Sequence, residues 1–187
     1  VYKDMLIMPN PASSGTGFLQ VASLLVMLDP EYKTKPVEEN KAWDFLKELD
    51  KNMGQYIKSG SKPAKLTAAG EYAVGCSFAF VYSSLKKKGF PVALVMPEEG
   101  AGFELEANAL LKGAKHEAAA KKFLDWALSE GAMKEYAKFK LGVAYPGIPG
   151  PEGLPALDTI KLAPMDFPWQ SENRTKILEV WQGHFLK

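Results

Sequence analysis

The 187-residue chain has a single cysteine, Cys76, so no intrachain disulfide can form, and its two isolated histidines, His116 and His184, leave no zinc-type ligand spacing. An excess of one charge is missing too. The 23 basic residues are offset by 22 acidic ones, a formal net charge of +1, which excludes a broad nucleic-acid surface and a polyacidic tail. The only lysine cluster, Lys86-Lys87-Lys88, ends an expected helix, where positive charge complements the helix dipole and faces solvent. No apolar run reaches the roughly 18 residues that a membrane-spanning helix needs. Nor do the first residues carry the charged and apolar regions of a secretory signal. Val1-Tyr2-Lys3-Asp4 leads directly into a buried-looking strand, as if cut from something longer or processed, so the compartment stays open on this ground. No internal repeat or low-complexity segment is present.

The parts of a catalytic centre are also lacking. Cys76 sits in the apolar stretch Ala73-Val74-Gly75-Cys76-Ser77-Phe78, where it reads as a small packed hydrophobe with no base nearby. No Asp-x-Asp pair offers magnesium ligands, and Glu98-Glu99 falls at a Pro-Glu-Glu-Gly turn that reads as solvated. A phosphate-ester-processing enzyme is therefore the weaker alternative, and neither catalysis nor a cofactor or bound metal is expected.

What the chain does have is Pro11-Ala12-Ser13-Ser14-Gly15-Thr16-Gly17, placed between the apolar run Met5-Leu6-Ile7-Met8 and Phe18 to Leu25, whose spacing is helical. A strand, a small-residue loop and a helix start in that order put backbone N–H groups and hydroxyls at the positive end of a helix, where anions bind. The alternative is a plain helix cap on a tight turn. Both standard phosphate fingerprints fail: no lysine follows the second glycine, and the third glycine of the dinucleotide spacing is missing.

With 47% hydrophobic and 24% charged residues, the composition is that of one globular domain or two small lobes. Helical spacing recurs at Lys41 to Asp50, Lys62 to Ala69, Tyr82 to Lys88, His116 to Ser129 and Ala132 to Phe139, and a final helix is expected from about Gln170 to Phe185, capped by Ser171. Strands are expected at Met5–Met8, Gln55–Ile57, Tyr72 to Phe80, Pro91–Met96 and Glu104 to Leu111, and Tyr145 to Pro168 reads as a Pro/Gly-rich loop. Strands alternating with helices predict an α/β fold with a mostly parallel sheet sandwiched by helices. Trp43, Trp126, Trp169 and Trp181 lie on these helices or at a helix entrance and are expected in the core.

The segments Met8 to Gly17, Ser59-Gly60-Ser61-Lys62-Pro63-Ala64, Ala69-Gly70-Glu71-Tyr72-Ala73-Val74-Gly75, Pro97-Glu98-Glu99-Gly100 and Gly113-Ala114-Lys115 together resemble extracellular solute-binding proteins of ABC importers. Similarity is greatest to the branch with ferric-ion, sugar-phosphate and aminoethylphosphonate binders. It covers nearly the whole chain, and after Gly113 it matches mainly as pattern. The resemblance implies a type 2 periplasmic-binding-protein lobe, a periplasmic or extracellular location and an ABC permease as membrane partner. It implies a second, anion-binding lobe over residues 1–100, a segment over 101–145 crossing to a first lobe whose upstream part is absent, and a connection with a returning helix over 146–187. The strand Glu104 to Leu111 would then lack neighbours, so a companion N-terminal fragment or a swapped dimer is expected.

The resemblance also implies the site. Ser13, Ser14, Gly15, Thr16 and Gly17 match the family's anion-binding loop, with Ser14 and Thr16 supplying hydroxyls. Ser59 and Ser61 fall at a second edge of the pocket, or else form a plain solvent turn. Ser77 and Tyr82 are candidates for its floor, and Glu104 for a carboxylate facing a ligand amine or hydroxyl. Ferric-ion binders carry adjacent tyrosines where this chain has Phe80 and Val81, and sugar-phosphate binders a His-Asp pair where it has Ala79 and Phe80. Tyr82 alone leaves ferric-ion transport with a synergistic anion as an alternative. The expected ligand is a small anionic solute such as a phosphonate or phosphate ester, with a small zwitterion favoured over a polyhydroxylated sugar.

Overall fold

The quartet Leu-Ile-Met-Pro forms β1 (Leu6–Pro9), whose four residues are all buried. A continuous apolar run, rather than alternation, belongs to a strand covered on both faces. In the computed structural model, which describes residues 2–140 and 142–186, β1 is the central strand of a parallel three-stranded sheet. Its neighbours are β2 (Met53–Ile57) and β3 (Val74–Gly75), with Ile7 opposite Gln55 on one side and Gly75 on the other.

The chain divides into two compact units, Val1–Phe103 with Lys161–Lys187, and Glu104–Ile160. The first holds the sheet. Helix α1 (Gly15–Leu28) buries Phe18, Val21, Ala22, Leu25 and Val26, one stripe at helical spacing. This stripe joins Met8, Trp43 and Leu46 of α2 (Ala42–Asp50), and Ile177 and Trp181 of α8 (Arg174–Phe185), in the main core. A smaller cluster, Ala68, Val81 and Leu85, forms where α3 (Lys62–Ala68) packs on α4 (Ala79–Lys87).

The polar stretch after α1 is an ordered hub. Asp29 is fully buried and accepts from the amides of Glu31 and Lys41, both at 3.1 Å, with Lys35 Nζ 3.8 Å away. Burial pushes its carboxyl up, but the two amides and Lys35 prevail and hold it below the ordinary carboxylate range. Asn40 donates to Leu25 O (3.0 Å) and accepts from Ala42 N (2.9 Å), closing the end of α1 and the start of α2 with one side chain.

Several elements differ from the sequence reading. The strand expected over Tyr72 to Phe80 is only two residues long, because the chain enters α4 at Ala79. Val81 and Leu85, just beyond the expected strand, stand four apart and are buried where α3 packs on α4, so the helical period takes over from Ala79. Pro91–Met96 and Glu104 to Leu111 are not paired as strands. The last helix is two helices: α7 (Phe167–Glu172) begins at Asp166, whose carboxylate accepts from Trp169 N at 3.2 Å, and Ser171 lies inside it rather than capping it. Asn173 interrupts the run by donating from Nδ2 to Trp169 O (2.9 Å), after which α8 restarts. Asp166 also accepts from Tyr32 Oη and from Lys33 Nζ, both at 2.6 Å, which ties α7 to the loop after α1.

The second unit contains α5 (Glu117–Ala127) and α6 (Glu130–Ala137), the latter capped by Ser129, which accepts from Ala132 N at 3.3 Å. Its helices bury Ala127, Ala132, Met133 and Ala137. Trp126 is not in the core as expected but exposed, its ring 5.6 Å from that of Phe123. Trp43 and Trp181 are fully buried, and Trp169 is half-buried against Tyr32. No helix is long and apolar enough to cross a membrane among the described residues.

Candidate functional site

In a parallel sheet every strand points the same way, so the loops leaving β1, β2 and β3 emerge along one edge. These are residues 10–14, 58–61 and 76–78, and they lead into α1, α3 and α4. The carboxyl edge of such a sheet is where α/β folds bind ligands. Backbone bonds from Asn10 N to Ile57 O (2.7 Å) and from Cys76 N to Ile7 O (2.9 Å) hold the first residues of two of these loops in register.

The first loop turns sharply on Asn10, whose Oδ1 accepts from Ala12 N (2.8 Å) and whose carbonyl accepts from the amides of Ser13 and Ser14. Ser14 then caps α1, its Oγ accepting from Gly17 N at 3.4 Å, a long bond. The Ser14 oxygen thus serves as a helix cap, and the helix leaves the amides of Gly15 and Thr16 without an acceptor of its own. Gly17 is there for space: a β-carbon would strike Pro9 O and come within 2.8 Å of the Asn10 carbonyl carbon. The helix start thus sits directly on the strand end.

Gly60 joins the three loops. A β-carbon on it would overlap Thr16 Oγ1 and lie 2.9 Å from Phe78 Cε2, and its carbonyl accepts from Ser77 Oγ at 2.8 Å. Only a glycine lets Thr16 of the first loop, the turn of the second and Phe78 of the third come this close. Ser59 Oγ accepts from Lys62 N (3.2 Å) and lies 3.5 Å from Ser61 Oγ, so Ser59 rather than Ser61 does the capping work at the start of α3. Phe78 stacks on Phe80 with ring centroids 5.0 Å apart, forming an aromatic wall at the start of α4.

Of the residues singled out from sequence, Thr16, Ser59, Ser61 and Ser77 gather around Gly60, with Ser14, Gly15 and Gly17 on the same loop as Thr16. Ser13 is exposed at the head of that loop. Tyr82 is half-buried on the first turn of α4. Glu104 is exposed and belongs to the second unit. Gly60 was not singled out, and its role appears only once the loops are brought together in space. Cys76 packs against the main core, where burial pushes its thiol up. Among the described residues no group of three or more His, Cys, Asp or Glu could hold a metal ion.

The electrostatics of this edge are one-sided. The first turns of α1, α3 and α4 contain no acidic residue, and neither Ser61 nor Phe78 caps its helix with a side-chain bond. Elsewhere in the chain the first turns of α2, α5 and α6 carry Asp44, Glu117 and Glu130, the usual partners of a positive helix end. Lys58 and Lys62, both exposed, flank the Ser59 turn. At this edge the N-termini of α1 and α4 have no compensating carboxylate, α1 having only the Ser14 oxygen as a cap; outside the three loops α8 starts without one as well.

Residues 3–164 match the model of the bacterial extracellular solute-binding protein family. The structure superimposes on the periplasmic binding protein AfuA of Actinobacillus pleuropneumoniae, solved with exogenous fructose-6-phosphate bound, with a TM-score of 0.79 and 31% identity over 98% of this chain and 56% of that one. An ABC transporter protein of Clostridium perfringens shares the fold at a TM-score of 0.61 and 19% identity, over 98% of this chain and 59% of that one. An uncharacterized Haemophilus influenzae protein is 40% identical over 121 residues, which are 65% of this chain and 32% of that protein. The matched parts thus cover from 32% to 59% of the lengths of these relatives. The α/β periplasmic-binding-protein fold expected from the sequence is present, and the match over residues 3–164 makes the chain a member of the bacterial extracellular solute-binding protein family.

Proposed function

We propose that the carboxyl edge of the sheet holds a small anionic solute, a phosphate ester or phosphonate, and that the protein is the substrate-binding component of an ABC importer. It would work in the periplasm or outside the cell and deliver its solute to a membrane permease. The observation that carries this reading is the uncompensated pair of helix starts, α1 and α4, at an edge lined by Thr16, Ser59, Ser61 and Ser77. The amides of Gly15 and Thr16, with the Thr16 hydroxyl, offer donors to an anion without a counter-charge in the protein. Family membership supports solute capture over catalysis. The phosphate of the ligand bound by the 31%-identical relative has the charge this edge would favour.

The stacked pair Phe78 and Phe80 offers an apolar surface beside the anion site, which suits a compact organic group better than a hydroxyl-rich ring. Ser77 has its proton committed to Gly60 O, so it acts by fixing the second loop against the third and can only accept from a ligand. Tyr82 would line the floor from α4.

Calorimetric titration of the chain against phosphate esters, phosphonates and amino acids tests the reading. Binding is expected from the phosphorylated members, and Thr16→Val should weaken it by about 1–3 kcal/mol by removing a donor from a desolvated anion. Indifference to every anionic compound would overturn the proposal. A chromogenic phosphate monoester should come back intact after incubation, since the role assigned is capture.

A further inference from the structure

Arg174 is the only arginine among the 23 basic residues of the chain, and it opens α8. Cations near it find carboxylates: Lys176, two residues on, meets Glu38 at 2.6 Å, and Lys33 meets Asp166 at 2.6 Å. Among the described residues no carboxylate pairs with Arg174. Its guanidinium carbon lies over the Phe18 ring instead, 4.2 Å from the centroid. A flat, delocalised and weakly hydrated cation suits that place better than an ammonium does.

The ring under the arginine belongs to the start of the helix that carries the proposed anion site. Phe18 follows Gly17 directly, is buried, and its amide donates to Ser14 O at 3.0 Å. Helical side chains lean toward the N-terminus, so the ring and the cation on it lie beside the turn whose Gly15 and Thr16 amides have no acceptor within the helix. Gly17, pressed against Pro9 O, holds that turn on the strand end. For both helices the sign of the charge is wrong: a cation at the first residue of α8 and beside the first turn of α1 opposes two helix dipoles. Lys176 escapes the same conflict through Glu38, whereas Arg174 has only a ring. The missing negative charge is the one an anion on the α1 start would bring.

We propose that Arg174 is a specificity-determining residue of the anion site, a positive charge fixed behind the first turn of α1 that favours a doubly charged phosphoryl or phosphonyl group over a singly charged anion. The inference rests on the anion site read at the sheet edge. There the loops offer neutral donors, the amides of Gly15 and Thr16 and the Thr16 hydroxyl, which serve any oxyanion alike. The arginine adds an attraction proportional to the charge of the ligand, so a dianion gains twice what a monoanion gains. It acts through space and without touching the ligand. Lys58 and Lys62 lie across the edge, beside the second loop, but they are exposed and no ring or carboxylate among the described residues fixes them.

The test is calorimetric titration of the full 187-residue chain at about pH 8 and low salt with two probes of similar shape, phenyl phosphate, a dianion there, and phenyl sulfate, a monoanion. The wild type is compared with Arg174→Gln and Arg174→Lys, and urea midpoints check that all three fold alike. Arg174→Gln should weaken phenyl phosphate binding by about fivefold and phenyl sulfate binding by about twofold, the range of a partly exposed charge. Arg174→Lys should restore most of the phosphate affinity. In about 1 M salt, where screening acts within ~3 Å, wild type and Arg174→Gln should converge. Three results overturn the inference. If the wild type binds neither probe, the anion site itself falls and the inference falls with it. If the wild type binds phenyl phosphate and Arg174→Gln binds it equally well, the site stands and the inference alone fails. If both probes weaken by the same factor and lysine does not restore them, Arg174 is a structural staple between α1 and α8 with no part in choosing charge.

Discussion

The two units contain helices of similar amphipathic character and treat them in opposite ways. In the first, α1, α2 and α8 turn their apolar faces onto the sheet and bury Trp43 and Trp181 completely. In the second, α5 and α6 bury only Ala127, Ala132, Met133 and Ala137 among the described residues, while Phe123, Trp126 and Phe139 are exposed. An amphipathic pattern states which face of a helix is apolar and nothing about what covers it. Coverage is a property of the whole assembly of chain segments, and here the sheet that does the covering belongs to one unit only.

The strongest way to test that contrast is to remove an indole from the covered side. Trp181 packs edge-on against Tyr56 with ring centroids 5.2 Å apart, and it lies in the cluster with Trp43, Ile177 and Leu46. Trp181→Ala should cost about 3–5 kcal/mol, from lost burial plus the cavity left behind. Urea unfolding followed by circular dichroism would show the loss as a lower midpoint, and a loss below about 1 kcal/mol would mean that the core collapses around the gap.

A smaller effect is expected where helix and strand meet. Gly17→Ala improves helix propensity by about 0.5–1 kcal/mol, but its β-carbon would strike Pro9 O, a backbone atom of the central strand that has little freedom to move. Overpacking of this kind costs about 1–3 kcal/mol, so the clash prevails and the variant is destabilised. Anion binding should fall with it, because the Gly15 and Thr16 amides ride on the displaced helix start. Gly15→Ala, where nothing lies within 4 Å of the added carbon, is the matched control.

How much of this was legible in the sequence follows the same division. The strand–loop–helix unit from Leu6 to Leu28 could be read directly, because its signals are local: an apolar run, a small-residue turn, and apolar residues at helical spacing. The meeting of Thr16, Gly60 and Phe78 could not, since these residues are far apart in the chain and become neighbours only through parallel pairing around β1. The fate of Trp126 was illegible for another reason: its period is that of a core helix, and the period does not say whether anything covers that face. Strands expected at Pro91–Met96 and Glu104 to Leu111 failed similarly, because a strand needs a partner that no local pattern supplies. The break at Asn173 arises from one side-chain bond to Trp169 O, a choice of rotamer that composition does not encode.

The acid behaviour of unit 1 gives a finer test. Lys33, the Tyr32 hydroxyl and the Trp169 amide hold the Asp166 carboxyl down at about 2, against an ordinary value of 3.8. A carboxyl depressed in the folded state stabilises fully above its unfolded pKa, and that contribution disappears as the pH falls through the folded value. Stability should therefore decline between about pH 4 and pH 2, and Asp166→Asn should flatten this part of the profile. Some slope will persist, since Asp29 is also held low by the Lys41 and Glu31 amides. Urea midpoints measured at pH 6, 4, 3 and 2 would reveal it; equal slopes in both proteins would mean that the Lys33–Asp166 contact is too wet to matter.

The least effect on stability should come from the residue that looks most like Trp181 in the sequence. Trp126 is also an indole on an amphipathic helix, but more than half of its surface already faces water, and its partner Phe123 is as exposed as it is. Truncating an exposed side chain leaves no cavity and gives up little burial, so Trp126→Ala should change the unfolding free energy by no more than about 0.5 kcal/mol. Set beside a loss of several kcal/mol at Trp181, this near-neutrality would show that the two units differ in coverage and not in composition. A large loss at Trp126 would instead mean that its face is already packed in the isolated chain, and the contrast between the units would vanish with it.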